Sequence, residues 1–263
     1  MQIHIPASLT ALGLAFQSSG IQQVTFEPES KLEKMEYRSF WGCQNLAAII
    51  GIPANVVEIE ADAFRELNAL ESVTFEAVDH GSRLLKIGTY AFYYSRVLSS
   101  IRLPASLVEI STGAFQGCAA LAEVYIPAHG NLTTLADSTF YTCSSLRALS
   151  IPHGVTAIPS TFCRDCTSLV NLSVPATVTS IGVNAFLSCA ALEAVDLVDS
   201  ESSQLQIIST NAFYGCASLR SITIPALVTD IQSSAFYAGS SLSTVSAAHI
   251  RTRVSSLWRT HVY

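Results

Sequence analysis

Ile110-Ser-Thr-Gly-Ala-Phe115-Gln-Gly-Cys118-Ala-Ala-Leu121-Ala-Glu-Val124-Tyr-Ile126-Pro127 is one period of a frame that returns along nearly the whole chain. Ile181-Gly-Val-Asn-Ala-Phe186-Leu-Ser-Cys189-Ala-Ala-Leu192-Glu-Ala-Val195-Asp-Leu197 keeps every apolar position of it. The Ala-Phe pair recurs at Phe16, Phe64, Phe92, Phe115, Phe186, Phe213 and Phe236, with Ser-Phe40 and Thr-Phe140 as variants. With Cys163 filling one gap, successive separations are 24, 24, 28, 23, 25, 23, 23, 27 and 23 residues. Ten units follow, beginning near Ile5, Phe26, Ile52, Phe75, Leu103, Ile126, Ile151, Val174, Leu197 and Ile224. They occupy residues 1–247 as one repeat domain and leave a tail at 248–263.

The spacing inside a unit dictates its local structure. Leu-x-x-Val-x-Ile alternates at its end, as a strand with one buried face does. Pro53, Pro104, Pro127, Pro152, Pro175 and Pro225 then end the strand, because proline donates no ladder hydrogen bond. A second short extended piece, such as Val178-Thr-Ser-Ile181, points two apolar side chains back inward. Ala-Phe-x-x-Cys-x-x-Leu has three-residue spacing and reads as one tight helical or 3-10 turn. A coil of 23–28 residues has no interior of its own and must stack on its neighbours. At about 4.8 Å per stacked strand, ten coils make a rod or arc roughly 45–50 Å long. The fold expected is therefore an α/β repeat solenoid.

The repeated frame Ile-Pro-x-x-Val-x-x-Ile-x-x-x-Ala-Phe-x-x-Cys-x-x-Leu-x-x-Val-x-Ile-Pro resembles the BspA-like class of leucine-rich repeats. That resemblance implies a curved, right-handed solenoid with a parallel sheet on its concave side. It also implies protein–protein contact or adhesion, and a place at the cell surface or outside the cell.

Composition closes off other classes. The chain has 14 basic and 20 acidic residues and a formal charge of −6, which argues against a nucleic-acid partner. Charged residues make up only 13% and apolar ones 49%, the reverse of what disorder requires. Every long apolar run is broken by proline or charge, so no membrane span is expected. Met1-Gln-Ile-His-Ile-Pro6 lacks the cationic and apolar regions of a secretory leader. No nucleophile elbow, zinc-protease helix, phosphate loop or dinucleotide fingerprint occurs, so neither an enzyme nor a cofactor is expected.

Departures from the frame carry information. In Ile158-Pro-Ser-Thr-Phe162-Cys163-Arg-Asp-Cys166 the large and small residues exchange slots, which conserves volume. Longer units carry Glu27–Lys31, Glu76–Ser82, Ala128–Asn131 and Val198–Gln204 just after the strand. Such insertions fall on one edge of a solenoid, where they either form a binding rim or are tolerated surface loops. Six of the seven cysteines share one repeat position, replaced elsewhere by Ser19, Leu67, Ser95 and Gly239. A buried column of free thiols explains that exchange, and inter-coil disulfides are the alternative. Cys163-x-x-Cys166 has no second pair to complete a zinc site. His129 and His153 follow the prolines of adjacent coils and read as solvated turn residues. Asn131-Leu-Thr133 and Asn171-Leu-Ser173 match the glycosylation pattern, which matters only in a secreted chain.

The exposed strand column is where a partner would be met. It reads Thr25, Ile50, Thr74, Arg102, Tyr125, Ser150, Ser173, Asp196, Thr223 and Ser246. The column before it reads Gln23, Ala48, Ser72, Ser100, Glu123, Ala148, Asn171, Ala194, Ser221 and Thr244. Small polar residues dominate both, and Arg102, Tyr125 and Glu123 interrupt them together. Tyr and Arg are enriched at binding hot spots, although an Arg–Tyr pair also supports a sheet. The three form the candidate protein-binding site of a non-catalytic module. The alternative is a scaffold that self-associates through uncapped end coils. The tail either folds over the last coil through Val254, Leu257 and Trp258 or marks a fragment of a longer protein.

Overall fold

The computed structural model describes residues 1–197 and 202–247, together with the backbone of 253–254. Each coil contributes one strand of three to five residues to a first parallel face, and each coil after the first adds a two-residue strand to a second. The first face comprises Gln2–Ile5, Gln23–Phe26, Ala48–Ile52 and Ser72–Phe75, then the pair Ser100–Arg102 and Glu123–Tyr125, then five strands from Ala148–Ser150 to Thr244–Ala247. The second face consists of two-residue strands in two groups of five, from Lys34–Met35 to Thr134–Leu135 and from Ala157–Ile158 to Arg253–Val254. Every pairing joins neighbouring coils in parallel. This is the linear stack that the repeat period requires.

The strand columns pair as the sequence frame aligns them. Gln23 faces Ala48, Glu123 faces Ser100 and Asn171 faces Ala194. The strand Gln2–Ile5 adds Gln2 and His4 ahead of the columns, with His4 Nδ1 2.7 Å from Thr25 Oγ1. One strand departs from the frame. Ala48–Ile52 holds an extra residue between Ile49 and Ile52, a bulge in which Gly51 takes φ 69° and donates its N–H to Thr74 Oγ1 at 2.8 Å.

No α- or 3-10 helix occurs among the described residues, which corrects both the α/β class and the helical turn expected at Ala-Phe-x-x-Cys. The reason lies in the backbone on either side of each phenylalanine. Asp62 and Glu66, two residues before and after Phe64, have φ 56° and 59°. Tyr90 and Tyr94 flank Phe92 in the same way, as do Asn184 and Ser188 around Phe186. A left-handed residue every fourth position reverses the backbone, so N–H groups cannot line up along one axis as a helix needs. Instead alternate N–H groups point at the next coil. Asp62, Phe64 and Glu66 donate to the carbonyls of Thr89, Ala91 and Tyr93 at 2.7–2.9 Å. The amides between them close three-residue turns within the coil, such as Arg65 to Asp62 at 3.2 Å. The segment acts as a third hydrogen-bonded wall.

Inside the walls the phenylalanines stack. Phe16, Phe40, Phe64, Phe92, Phe115 and Phe140 follow one another at centroid spacings of 5.1–5.6 Å and interplanar angles of 26° or less. At the exchanged unit the backbone keeps its register, with Phe140 N–H on Phe162 O and Cys163 N–H on Ala185 O. Phe162 therefore sits in the alanine slot and meets Phe140 and Phe186 edge-on, at 75° and 88°. The column closes without a gap, and stacking resumes at Phe186 and Phe213.

All seven cysteines are buried and unpaired. Six of them donate S–H to the carbonyl of the phenylalanine slot one coil earlier, as Cys118 does to Phe92 O at 3.2 Å and Cys166 to Phe140 O at 3.1 Å. Ser95 makes the same bond to Phe64 O at 3.3 Å. The slot favours a small hydrogen-bond donor, which is why serine replaces cysteine there. Burial pushes the Cys118 and Cys216 thiols up to about 12.

Candidate functional site

Arg102 and Tyr125 are direct partners on adjacent strands of the first face. The Arg102 guanidinium lies 4.5 Å from the Tyr125 ring centroid, a cation–π contact. Its Nη2 also donates to the Asp79 carboxylate, which comes from the Glu76–Ser82 insertion. That bond keeps the arginine firmly charged. The three side chains are far from buried: Tyr125 is 51% exposed, and the Arg102 and Asp79 side chains are 51% and 61% exposed. Glu123 stands on the same strand, two residues before Tyr125, exposed and paired in register with Ser100. The structure thus brings Arg102 to Tyr125, sets Glu123 beside them, and adds Asp79 from the loop.

The same insertion walls a cleft of about 270 Å³ whose lining includes Asp79, His80, Ser82, Ser106, His129 and Asn131. His129 therefore shares a cleft with His80 and not with His153, whose carbonyl accepts from Thr177 Oγ1 at 2.8 Å. No group of three or more His, Cys, Asp or Glu suited to a metal ion exists among the described residues. Loop ends are anchored: Ser30, Ser82 and Ser203 Oγ accept the N–H of Leu32, Leu84 and Leu205 at 3.3–3.4 Å. The insertion around Glu201 and the side chains of the tail, including Val254, Leu257 and Trp258, lie outside the described residues. No described helix is long and apolar enough to cross a membrane.

The strand columns conceal a second concentration of aromatic and arginine side chains, on the turn wall. Arg38 packs over Tyr37 and Trp41 at 4.7 and 4.5 Å, and Arg65 over Tyr93 at 4.6 Å. Arg38 and Arg65 also share Asp62, at 3.3 and 3.2 Å. The signal was present in the sequence at the position after the phenylalanine slot, which is aromatic or arginine in seven of the ten units: Trp41, Arg65, Tyr93, Tyr141, Arg164, Tyr214 and Tyr237.

A parallel β-solenoid with a stacked phenylalanine core and a donor slot beside it is a leucine-rich-repeat architecture. Residues 1–81, 75–193 and 198–256 match the BspA type Leucine rich repeat region, in 6 copies. The chain belongs to that family, whose repeats generally serve protein interaction or adhesion, and no catalytic family is indicated. Among solved structures it is similar to a leucine-rich repeat protein of T. pallidum, with 24% identity over 73% of this chain and 86% of that one, TM-score 0.58. A leucine-rich repeat protein from Bacteroides ovatus is 22% identical over 93% of this chain and 80% of that one, TM-score 0.53. The pneumococcal vaccine antigen PcpA is 19% identical over 94% of this chain and 62% of that one, TM-score 0.51. These likenesses concern the fold. The search of curated proteins found no match.

Proposed function

We propose that the chain is a non-catalytic binding module that presents the first face and its loop rim to a protein partner, with Arg102, Tyr125 and Glu123 at the contact. The observation that carries this reading is the half-exposed Arg102–Tyr125 pair tethered to Asp79. Most other coils fill those positions with small residues such as Ser150, Ser173 and Ser246, so the scaffold does not require the pair. A guanidinium fixed between a ring and a carboxylate has already lost the freedom that binding would otherwise remove. Ile50, 42% exposed on the bulged strand two coils before Arg102, adds an apolar side chain to the same face. Adhesion at a cell surface is the setting that the family suggests.

The test begins with an affinity pull-down from the source proteome, followed by titration of the captured partner. The double variant Arg102→Ser/Tyr125→Ser should bind about thirtyfold more weakly, the loss of roughly 2 kcal/mol at an aromatic–arginine anchor. Its melting temperature should stay close to that of the parent. Unchanged affinity with unchanged melting would remove the contact from this face.

A further inference from the structure

We propose that the rim cleft over the third coil binds an acidic peptide segment bearing two carboxylates three residues apart. The cleft has a volume of about 470 Å³ and is lined by Thr10, Lys31, Glu33, Asn55 and Arg83. Its shape follows from loop lengths. The second and fourth coils carry the Glu27–Lys31 and Glu76–Ser82 insertions, while the third turns directly through Pro53-Ala54-Asn55. Two raised loops with a short turn between them leave a trough.

Lys31, Asn55 and Arg83 occupy one repeat position, immediately before the buried Leu32, Val56 and Leu84. Their stems are held. Lys31 N–H donates to Ala7 O at 2.9 Å, Arg83 N–H to Ala54 O at 2.8 Å, and Asn55 Nδ2 to Ser30 O at 2.8 Å. Their charged ends are not. Lys34, Arg38, Arg65, Lys86, Arg102 and Arg164 all have carboxylate partners. The Lys31 and Arg83 side chains have no hydrogen-bond or ion-pair partner among the described residues. In a chain with more acidic than basic residues, two cations left unpaired over one cleft make a local site for anions.

The lining also selects the kind of anion. It contains no aromatic or aliphatic side chain, so nothing there holds an apolar ligand or stacks on a base. Glu33 sets one carboxylate against the two cations and disfavours a continuous polyanion. It accepts instead from a ligand that offers N–H donors between its charges, as a peptide backbone does. Lys31 and Arg83 stand two coils apart, about 9.6 Å at ~4.8 Å per coil. A polyproline II peptide rises about 3.1 Å per residue with three residues per turn, so carboxylates at i and i+3 share a side about 9.3 Å apart. The two spacings agree.

This deepens the protein-binding reading, on which it rests, but uses a different part of the surface. The probe is a fluorescein-labelled, C-terminally amidated peptide, Gly-Pro-Glu-Pro-Ala-Glu-Pro-Gly, whose alanine keeps an N–H between the two carboxylates, titrated with the full chain by fluorescence anisotropy at low ionic strength. The parent should bind, and Lys31→Ala/Arg83→Ala should weaken binding about tenfold, the combined effect of two exposed charge pairs. Lys34→Ala/Lys86→Ala removes the same net charge from the second face and should change affinity less than about twofold. Circular dichroism checks that both variants keep the parent's spectrum. Absence of peptide binding, or equal losses in the two double variants, would overturn the proposal. So would stronger Lys31- and Arg83-dependent binding of inorganic polyphosphate than of the peptide. Either result leaves the Arg102–Tyr125 test standing, and failure of that test leaves this one standing.

Discussion

Phe140→Ala should cost far more stability than Phe16→Ala, although both remove the same side chain from the same repeat slot. Phe140 is fully buried, between Phe115 at 5.6 Å and Phe162 at 5.5 Å. Emptying such a slot costs about 3–5 kcal/mol. Its two ring contacts, each worth about 0.5–1.5 kcal/mol beyond buried area, place it in the upper part of that range. Phe16 is only partly buried and has a single ring neighbour, Phe40 at 5.3 Å. Partial burial and a single ring contact place its loss lower, at roughly 2 kcal/mol. Urea unfolding followed by circular dichroism measures both free energies. The arithmetic holds only if coils are stabilised by their immediate neighbours, as in a one-dimensional stack. Equal losses at the two positions would refute it.

Under denaturing, non-reducing conditions a thiol reagent should titrate seven thiols, and the native chain should react slowly because every thiol is buried; three or fewer would establish inter-coil disulfides. The native chain holds the Cys118 and Cys216 protons up to about pH 12, above the unfolded value near 8.5–9. Their contribution to stability is therefore complete below about pH 8.5 and is lost as pH rises from there towards 12. Cys118→Ser, which keeps a donor for Phe92 O, should flatten that alkaline decline in urea-unfolding measurements. Phe162→Ala and Cys163→Phe should each destabilise the seventh coil, by a cavity and by overpacking. The double variant restores the frame and should recover most of the loss. Simple additivity of the two would show that the slots are not exchanged partners.

The solenoid was legible because its evidence repeats. A single Ala-Phe-x-x-Cys-x-x-Leu segment is compatible with a helical turn, and the three-residue spacing invited that reading. The observed turn has the same spacing for a different reason. Its amides at Asp62, Phe64 and Glu66 serve the next coil, and that demand comes from stacking, not from local preference. Arg38, Asp62, Tyr90, Thr142 and Ser188 all adopt φ near 55–61° without being glycine, so composition carried no warning. The bulge differs, since Gly51 inside an apolar strand was a visible mark of an irregular ladder. The cysteine slot was half legible. Its smallness could be read from the exchange with Ser95, but its role as donor to the Phe92 or Phe140 carbonyl needed the neighbouring coil in place.

The candidate site shows why repeat position alone cannot separate binding from packing. Register placed Arg102 beside Tyr125, yet Asp79 stands five residues beyond its coil's column residue, Thr74, on a loop whose path the repeat does not encode. What lies beneath each aromatic ring then decides its meaning. A Cβ on Gly113 would sit 2.4 Å from Tyr90 Cε1, and one on Gly117 would sit 2.4 Å from Tyr94 Cδ1. Those two tyrosines therefore occupy the space that the next coil vacates with glycine, and their presence on the turn wall is a packing requirement. Tyr125 fills no such space. Its ring is covered from one side by Arg102 and remains half exposed on a face where serine and threonine suffice in most other coils. A large side chain that the scaffold does not need, capped by an arginine that Asp79 holds in place, is the feature a partner would use.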